Sequence, residues 1–295
     1  MATNFSVLLQ PSNSTDALFR AWGLFIHDTF VTTGGWINTS DTGQIDFTTV
    51  VKPAGVSTKS GYKIYRMNDT LQATSPVFIR IDFGSASGSA NNPGFWLTIG
   101  TGSNGTGTIT GILFDGGAVA TPTVSSNSTS ATASNSYGSA DTNRISLGLF
   151  IQTTARALVL NLERSKDVNG DDTGSGLILA WNNNITIINN SRYLILAGGT
   201  QPPVQGGLQY ILDISNPSAF GSDVGIAIPI PLRGVAQQPG YGIVVVRTND
   251  FVAEASFSMT LYGNTVTYQH LNSIQTGPAV VGGTDPTSKV CIRFD

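Results

Sequence analysis

Apolar and polar positions alternate with a period of two along most of this chain, the signature of half-buried β-strands. The densest such stretch runs from Gly61 to Gly111. Tyr62, Ile64 and Arg66 alternate with Lys63, Tyr65 and Met67, and Asn68-Asp69 supplies a turn. Val77, Ile79, Ile81 and Phe83 then share one face while Arg80 and Asp82 point the other way, as an antiparallel strand with one covered face requires. Phe95-Trp96-Leu97-Thr98-Ile99 is the next predicted strand, set between two tracts of small and polar residues, Gly84 to Asn92 and Gly100 to Gly107. Such tracts bury too little apolar area to offset the entropy of ordering them, so they read as loops or bulged edges. The block is a predicted meander that serves as the scaffold.

One segment breaks the period. Between Ser12 and Phe30 the pairs Ala17-Leu18, Ala21-Trp22 and Phe25-Ile26 recur at the three-and-four spacing of an amphipathic helix. Ser14, Thr15 or Asp16 can cap it, and Thr32-Thr33-Gly34-Gly35 ends it. It is expected to pack on its own sheet, with a neighbouring subunit as the alternative. Trp36-Ile37 begins an extended segment, and Thr39 to Phe47 reads as another turn and strand.

Beyond Gly111 the run Thr121 to Asn143 is of low complexity and is expected to be a long loop. Strands resume at Arg144 to Gln152, and Ala157 to Glu163 is predicted to pair with Leu177 to Trp181 across a polar turn. Ile185 to Ile188 and Tyr193 to Leu196 are two more short strands. Gly198 to Gly207 punctuates the chain, and Ile226 to Pro231 carries prolines that suit a sheet edge. Gly242 to Thr248 and Ala255 to Tyr262 read as the last clear pair, with Val266 to Gln269 close behind and Val290 to Phe294 as a closing strand. The expected fold is mainly β, with antiparallel β-sandwich-like lobes and one N-terminal amphipathic helix. Its divisions are a helix-and-strand arm over 1–60, a first β lobe over 61–197 and a second over 208–295.

Composition narrows the functional classes. With 40% hydrophobic residues in 295 positions the chain can bury a sizeable core, yet only 11% of residues are charged. A surface so poor in charge is weakly defended against association, so subunit contacts are expected to cover much of it. The net charge of -3 gives no basic footprint for nucleic acid phosphates. No apolar run reaches the eighteen or so residues of a spanning helix, and the start lacks the basic region of a secretion signal. A single cysteine, Cys291, can form no internal disulfide, which fits assembly in a reducing cytoplasm. The triplets Asn68-Asp69-Thr70 and Asn104-Gly105-Thr106 are read as chance rather than glycan acceptors.

Few groups offer chemistry. His27 lies on the helix beside Asp28, and His270 follows a strand in Tyr268-Gln269-His270. Neither stands in a nucleophile turn, so both are read as satisfied or exposed histidines. Asp167, Asn169 and Asp171 match the first ligands of a calcium loop, but Asp172 and Ile178 stand where such a loop needs Gly and Glu. A hairpin turn is preferred there over a weak, irregular calcium site. Gly100-Thr101-Gly102-Ser103-Asn104-Gly105 lacks the lysine and the helix of a phosphate cradle. Tyr137, in a Ser/Asn context, is one aromatic and no carbohydrate platform. No catalytic, cofactor-binding or metal residue is therefore expected.

Trp36-Ile37-Asn38-Thr39-Ser40-Asp41-Thr42-Gly43-Gln44-Ile45-Asp46, Gly61-Tyr62-Lys63-Ile64-Tyr65-Arg66-Met67-Asn68-Asp69 and Phe95-Trp96-Leu97-Thr98-Ile99-Gly100 together resemble uncharacterised virion structural proteins of tailed bacteriophages. The likeness covers about the first half, with a looser one at Glu163-Arg164-Ser165-Lys166-Asp167. It carries no catalytic motif. It implies a non-enzymatic particle component of tail, baseplate or neck, assembled in the host cytoplasm, with other virion proteins and further copies of the chain as partners. Alternatives are a capsid decoration (cement) protein and a receptor-binding or carbohydrate-binding tail protein.

Overall fold

A computed structural model describes residues 5–9, 11–85, 89–115, 133–151, 156–167, 169–182, 191–197, 204–207, 225–227, 242–247, 256–261, 264–270 and 288–294. In chain order these form β1 (Phe5–Leu9), the helix α1 (Asp16–Asp28) and a π-helical turn (Thr29–Thr33). Then come β2 (Ile37–Asn38), β3 (Lys59–Arg66), β4 (Phe78–Ser85), β5 (Pro93–Ser103) and β6 (Ile109–Asp115). β7 (Ala133–Asp141), β8 (Arg144–Ile151), β9 (Arg156–Lys166), β10 (Asp172–Asn182), β11 (Ser191–Ala197) and β12 (Val204–Gly207) follow. The last are β13 (Gly225–Ala227), β14 (Ile243–Arg247), β15 (Ser256–Leu261), β16 (Asn264–His270) and β17 (Ser288–Arg293).

The fold is mainly β, with three antiparallel sheets and one α-helix, near the N-terminus, among the described residues. The meander sheet runs β2-β3-β4-β5-β6. A seven-stranded sheet runs β1-β7-β8-β9-β10-β11-β12, and a C-terminal sheet runs β13-β14-β17-β16-β15. In the meander sheet the register sets Ile79 opposite Ile99, Ile81 opposite Leu97 and Phe83 opposite Phe95, so the alternation read from sequence becomes one continuous apolar face. Ile145, Leu147, Leu160 and Leu162 of β8 and β9 close the same core from the seven-stranded sheet.

α1 fills the end of this core. Thr15 caps it by accepting the Leu18 N–H at 3.2 Å, and Phe19, Trp22 and Ile26 are turned inward. Trp22 meets Phe83 edge-on at 5.9 Å, and Phe30, in the π-helical turn, stacks on Tyr65 at 4.3 Å. Gly23 is required by close approach, since a Cβ there would stand 2.1 Å from the Phe47 ring.

Several elements depart from the sequence reading. Gln44 to Phe47 is turn and irregular chain, although Ile45 and Phe47 are buried and the Ile45 N–H bonds the Tyr62 carbonyl at 2.9 Å. β7 occupies the second half of the stretch expected to be a loop, because pairing with β1 on one side and β8 on the other satisfies its backbone whatever its low apolar content. Ile243–Arg247 and Ser256–Leu261 do not pair with each other; β17 and β16 lie between them. β12 lies within the Gly/Pro punctuation and pairs with β11. β9 and β10 pair as expected, with Leu162 opposite Leu179, and β13 is an edge strand. The expected strand at Ile185 to Ile188 lies outside the described residues.

Candidate functional site

Seven of the charged residues are buried among the described residues. On the outer face of the meander sheet Asp82 is buried between two cations. Arg80 grips it through Nε and Nη2, at 3.2 and 2.5 Å, and Lys59 reaches it at 3.2 Å. The same cations lie over aromatic rings, Arg80 over Tyr62 at 4.0 Å and Lys59 over Trp96 at 5.0 Å. Beside them Asp41 accepts from Thr39 Oγ1 at 2.6 Å, Ser103 Oγ at 2.8 Å and the Gly107 N–H at 3.2 Å. Burial pushes the Asp41 carboxyl up, but these bonds to the ionised form outweigh it and hold the pKa below the ordinary value.

A second charged pair joins two sheets. Arg164 at the end of β9 donates from Nε and Nη2 to the two oxygens of Asp69, at 2.6 and 3.1 Å, with both side chains almost wholly buried. It also donates to the Ser75 carbonyl at 2.7 Å and Oγ at 3.2 Å, and Ser75 Oγ donates to the Gly174 carbonyl at 2.9 Å. The turn between β3 and β4 is thereby fastened to β9 and β10 by charge-assisted bonds.

A third layer lies between the seven-stranded and C-terminal sheets. Arg144 is 1% exposed, and its Nη1 donates to Ser139 Oγ and Ser146 Oγ, each at 3.2 Å. Ser146 donates to Asn161 Oδ1 at 2.6 Å, and Asn161 Nδ2 donates to Glu163 Oε1 at 2.8 Å. Glu163 Oε1 also accepts the Gly242 N–H at 3.0 Å, which ties the entry of β14 to β9. A Cβ on Gly242 would stand 1.9 Å from Asn161 Oδ1, so glycine is what lets the backbone come this close. Burial, and then the like charge of Arg293, lowers the Arg144 pKa to about 10, against the opposing pull of Glu163, Asp141 and Tyr268.

The residues singled out from sequence lie apart from one another. His27 is half-buried, with Nδ1 3.2 Å from Tyr65 Oη, and joins α1 to β3. Burial and Lys63 lower its pKa, opposed by Asp28, while burial raises that of Tyr65. His270 ends β16 opposite Cys291, which is buried. Asp167 Oδ1 accepts the N–H groups of Asn169 at 2.8 Å and Asp171 at 3.0 Å, as an Asx turn does, and Lys166 pairs with Asp172 across the hairpin. Among the described residues no group of three or more His, Cys, Asp or Glu is placed to hold a metal ion. The spaced glycines at 100–105 run along β5 into a turn, and Tyr137, within the stretch expected to be a loop, is instead fully buried in β7.

Over its first turns α1 presents apolar residues outward, with Asp28 exposed at its end. Ala17, Leu18, Ala21 and Leu24 are exposed, Leu24 at 45%. Arg20 donates to the Val50 and Thr49 carbonyls at 2.6 and 3.0 Å, and Asp16 accepts the Lys52 N–H at 2.9 Å, so the loop carrying the 62% exposed Val51 is pinned beside the helix. Among the described residues no helix is long and apolar enough to cross a membrane.

In comparisons with known proteins, no family model, no curated protein and no solved structure matches the chain.

Proposed function

We propose that the chain is a non-enzymatic structural subunit of a tailed-phage particle, a tail, baseplate or neck component that works through contacts with other copies of itself and with other virion proteins. The observation that supports this reading is where the charge goes. The chain carries 15 Lys and Arg and 18 Asp and Glu. Of these, Asp41, Asp69, Asp82, Arg144, Glu163, Arg164 and Lys166 are buried. The outer surface is therefore poorer still in the charges that keep monomers apart, and α1 exposes Ala17, Leu18, Ala21 and Leu24. The buried Arg164–Asp69 pair braces the meander sheet against the seven-stranded sheet.

The test is association. Sedimentation of the purified protein, joined to cross-linking in purified particles, is expected to show a multimer whose interfaces bury more than the roughly 1,000 Å² of specific contacts. A protein that stays monomeric and is absent from particles overturns the proposal.

A further inference from the structure

Arg80, Arg164 and Arg144 each present the same edge of the guanidinium, Nε with Nη2, where two N–H groups point side by side and match the two oxygens of a carboxylate. In Arg80 that edge is filled by Asp82, and in Arg164 by Asp69. In Arg144 both Nε and Nη2 are buried and make no hydrogen bond among the described residues. Among the described residues its Nη1 alone is engaged, by two serines.

Donors converge on this edge, although the carboxylates of Glu163 and Asp141 also act on Arg144. Ser139 Oγ, fully buried, accepts from Arg144 and so keeps its own proton to donate. Arg293 brings a second cation close enough to depress the Arg144 pKa. Glu163 lies opposite Arg144 in register, but its Oε1 is bonded to Asn161 Nδ2 and the Gly242 N–H. A buried guanidinium with two idle donors costs several kcal/mol unless something pairs with it.

We propose that the Nε/Nη2 edge of Arg144 binds a small oxyanion, a carboxylate or another anion with two oxygens side by side, between the seven-stranded and C-terminal sheets. Chloride, with a single centre, can accept both N–H groups but matches the paired edge less well than two oxygens do, so it competes only weakly with them. The anion braces the two sheets as Asp69 braces β9 against the β3–β4 turn.

The experiment is thermal melting of the full chain in sodium formate and, separately, sodium phosphate, at constant ionic strength made up with sodium chloride. Formate is expected to raise the Tm saturably, by about 2 °C or more, because it binds only the folded state. Equilibrium dialysis is expected to find one formate per chain. Arg144→Lys, which keeps the charge but loses the fork, and Arg144→Met are both expected to abolish the saturable rise. Phosphate that stabilises in place of formate keeps the site and assigns it to a tetrahedral anion. A flat or non-saturating response of the unaltered chain to both anions overturns the proposal even where neither variant folds, and so does an equal response in Arg144→Lys.

Discussion

Removing the Asp69 carboxylate isolates a guanidinium that is 1% exposed, and the cost follows from that burial. In Asp69→Ala the Nε and one Nη2 donor of Arg164 lose both partners while the Ser75 bonds persist. A buried charge left alone this way costs about 3–5 kcal/mol, far more than an exposed pair is worth. At about 2–4 °C per kcal/mol for a domain of this size class, the Tm is expected to fall by roughly 6–20 °C. The double variant Asp69→Leu/Arg164→Met removes both charges and is expected to recover most of that loss, keeping only the roughly 1 kcal/mol of the orphaned Ser75 carbonyl. Urea unfolding of Asp69→Leu, Arg164→Met and the double variant gives the coupling directly. A cost below about 1 kcal/mol for Asp69→Ala would refute the argument, because it would mean that the pair is solvated and the two sheets are not clamped there.

Gly23→Ala is expected to destabilise despite the roughly 1 kcal/mol that alanine gains over glycine in a helix, since its Cβ enters the Phe47 ring; denaturant midpoints give the sign. Trp22→Ala, which empties the contact with Phe83 and Phe95, is expected to cost about 3–5 kcal/mol in the same assay. His27 has a lowered pKa in the folded chain, so below the unfolded value near 6.5 the unfolded state binds more protons and stability falls as pH drops through that window. Above it the contribution is fully present, and His27→Gln is expected to remove this part of the pH slope in melts between pH 7 and pH 5, as pH values of the order set by that titration. Calcium and chelator are expected to leave the Tm unchanged, because Asp167 spends a carboxylate oxygen on the N–H groups of Asn169 and Asp171; a shift of many degrees would revive an ion site in that turn.

The meander sheet was legible because its information is local. Ile79, Ile81 and Phe83 alternate within one strand, and the neighbouring strands are adjacent in sequence, so the pattern and the register agree. β7 was not legible, since Ser136, Tyr137 and Ser139 are buried by what packs on them rather than by their own apolar content. The order of the C-terminal sheet was hidden for a related reason: β17 enters between β14 and β16 from the far end of the chain, and no local signal marks a long-range pairing. The polar layers escaped altogether. Arg144 and Glu163 alternate with apolar neighbours as solvent-facing residues do, and only the arrival of another sheet turns that face inward. Asp69 and Arg164 lie 95 positions apart, so nothing in either segment points to the other.

The most direct test of the proposed structural role is to look for the protein, by electron microscopy, in phage particles assembled with a labelled copy of the chain. The account predicts a fixed number of symmetry-related copies in the tail, baseplate or neck, with the Leu18, Leu24 and Val51 surface covered by a neighbour. Particles that lack the chain, or copies attached with that surface open to solvent, would contradict it.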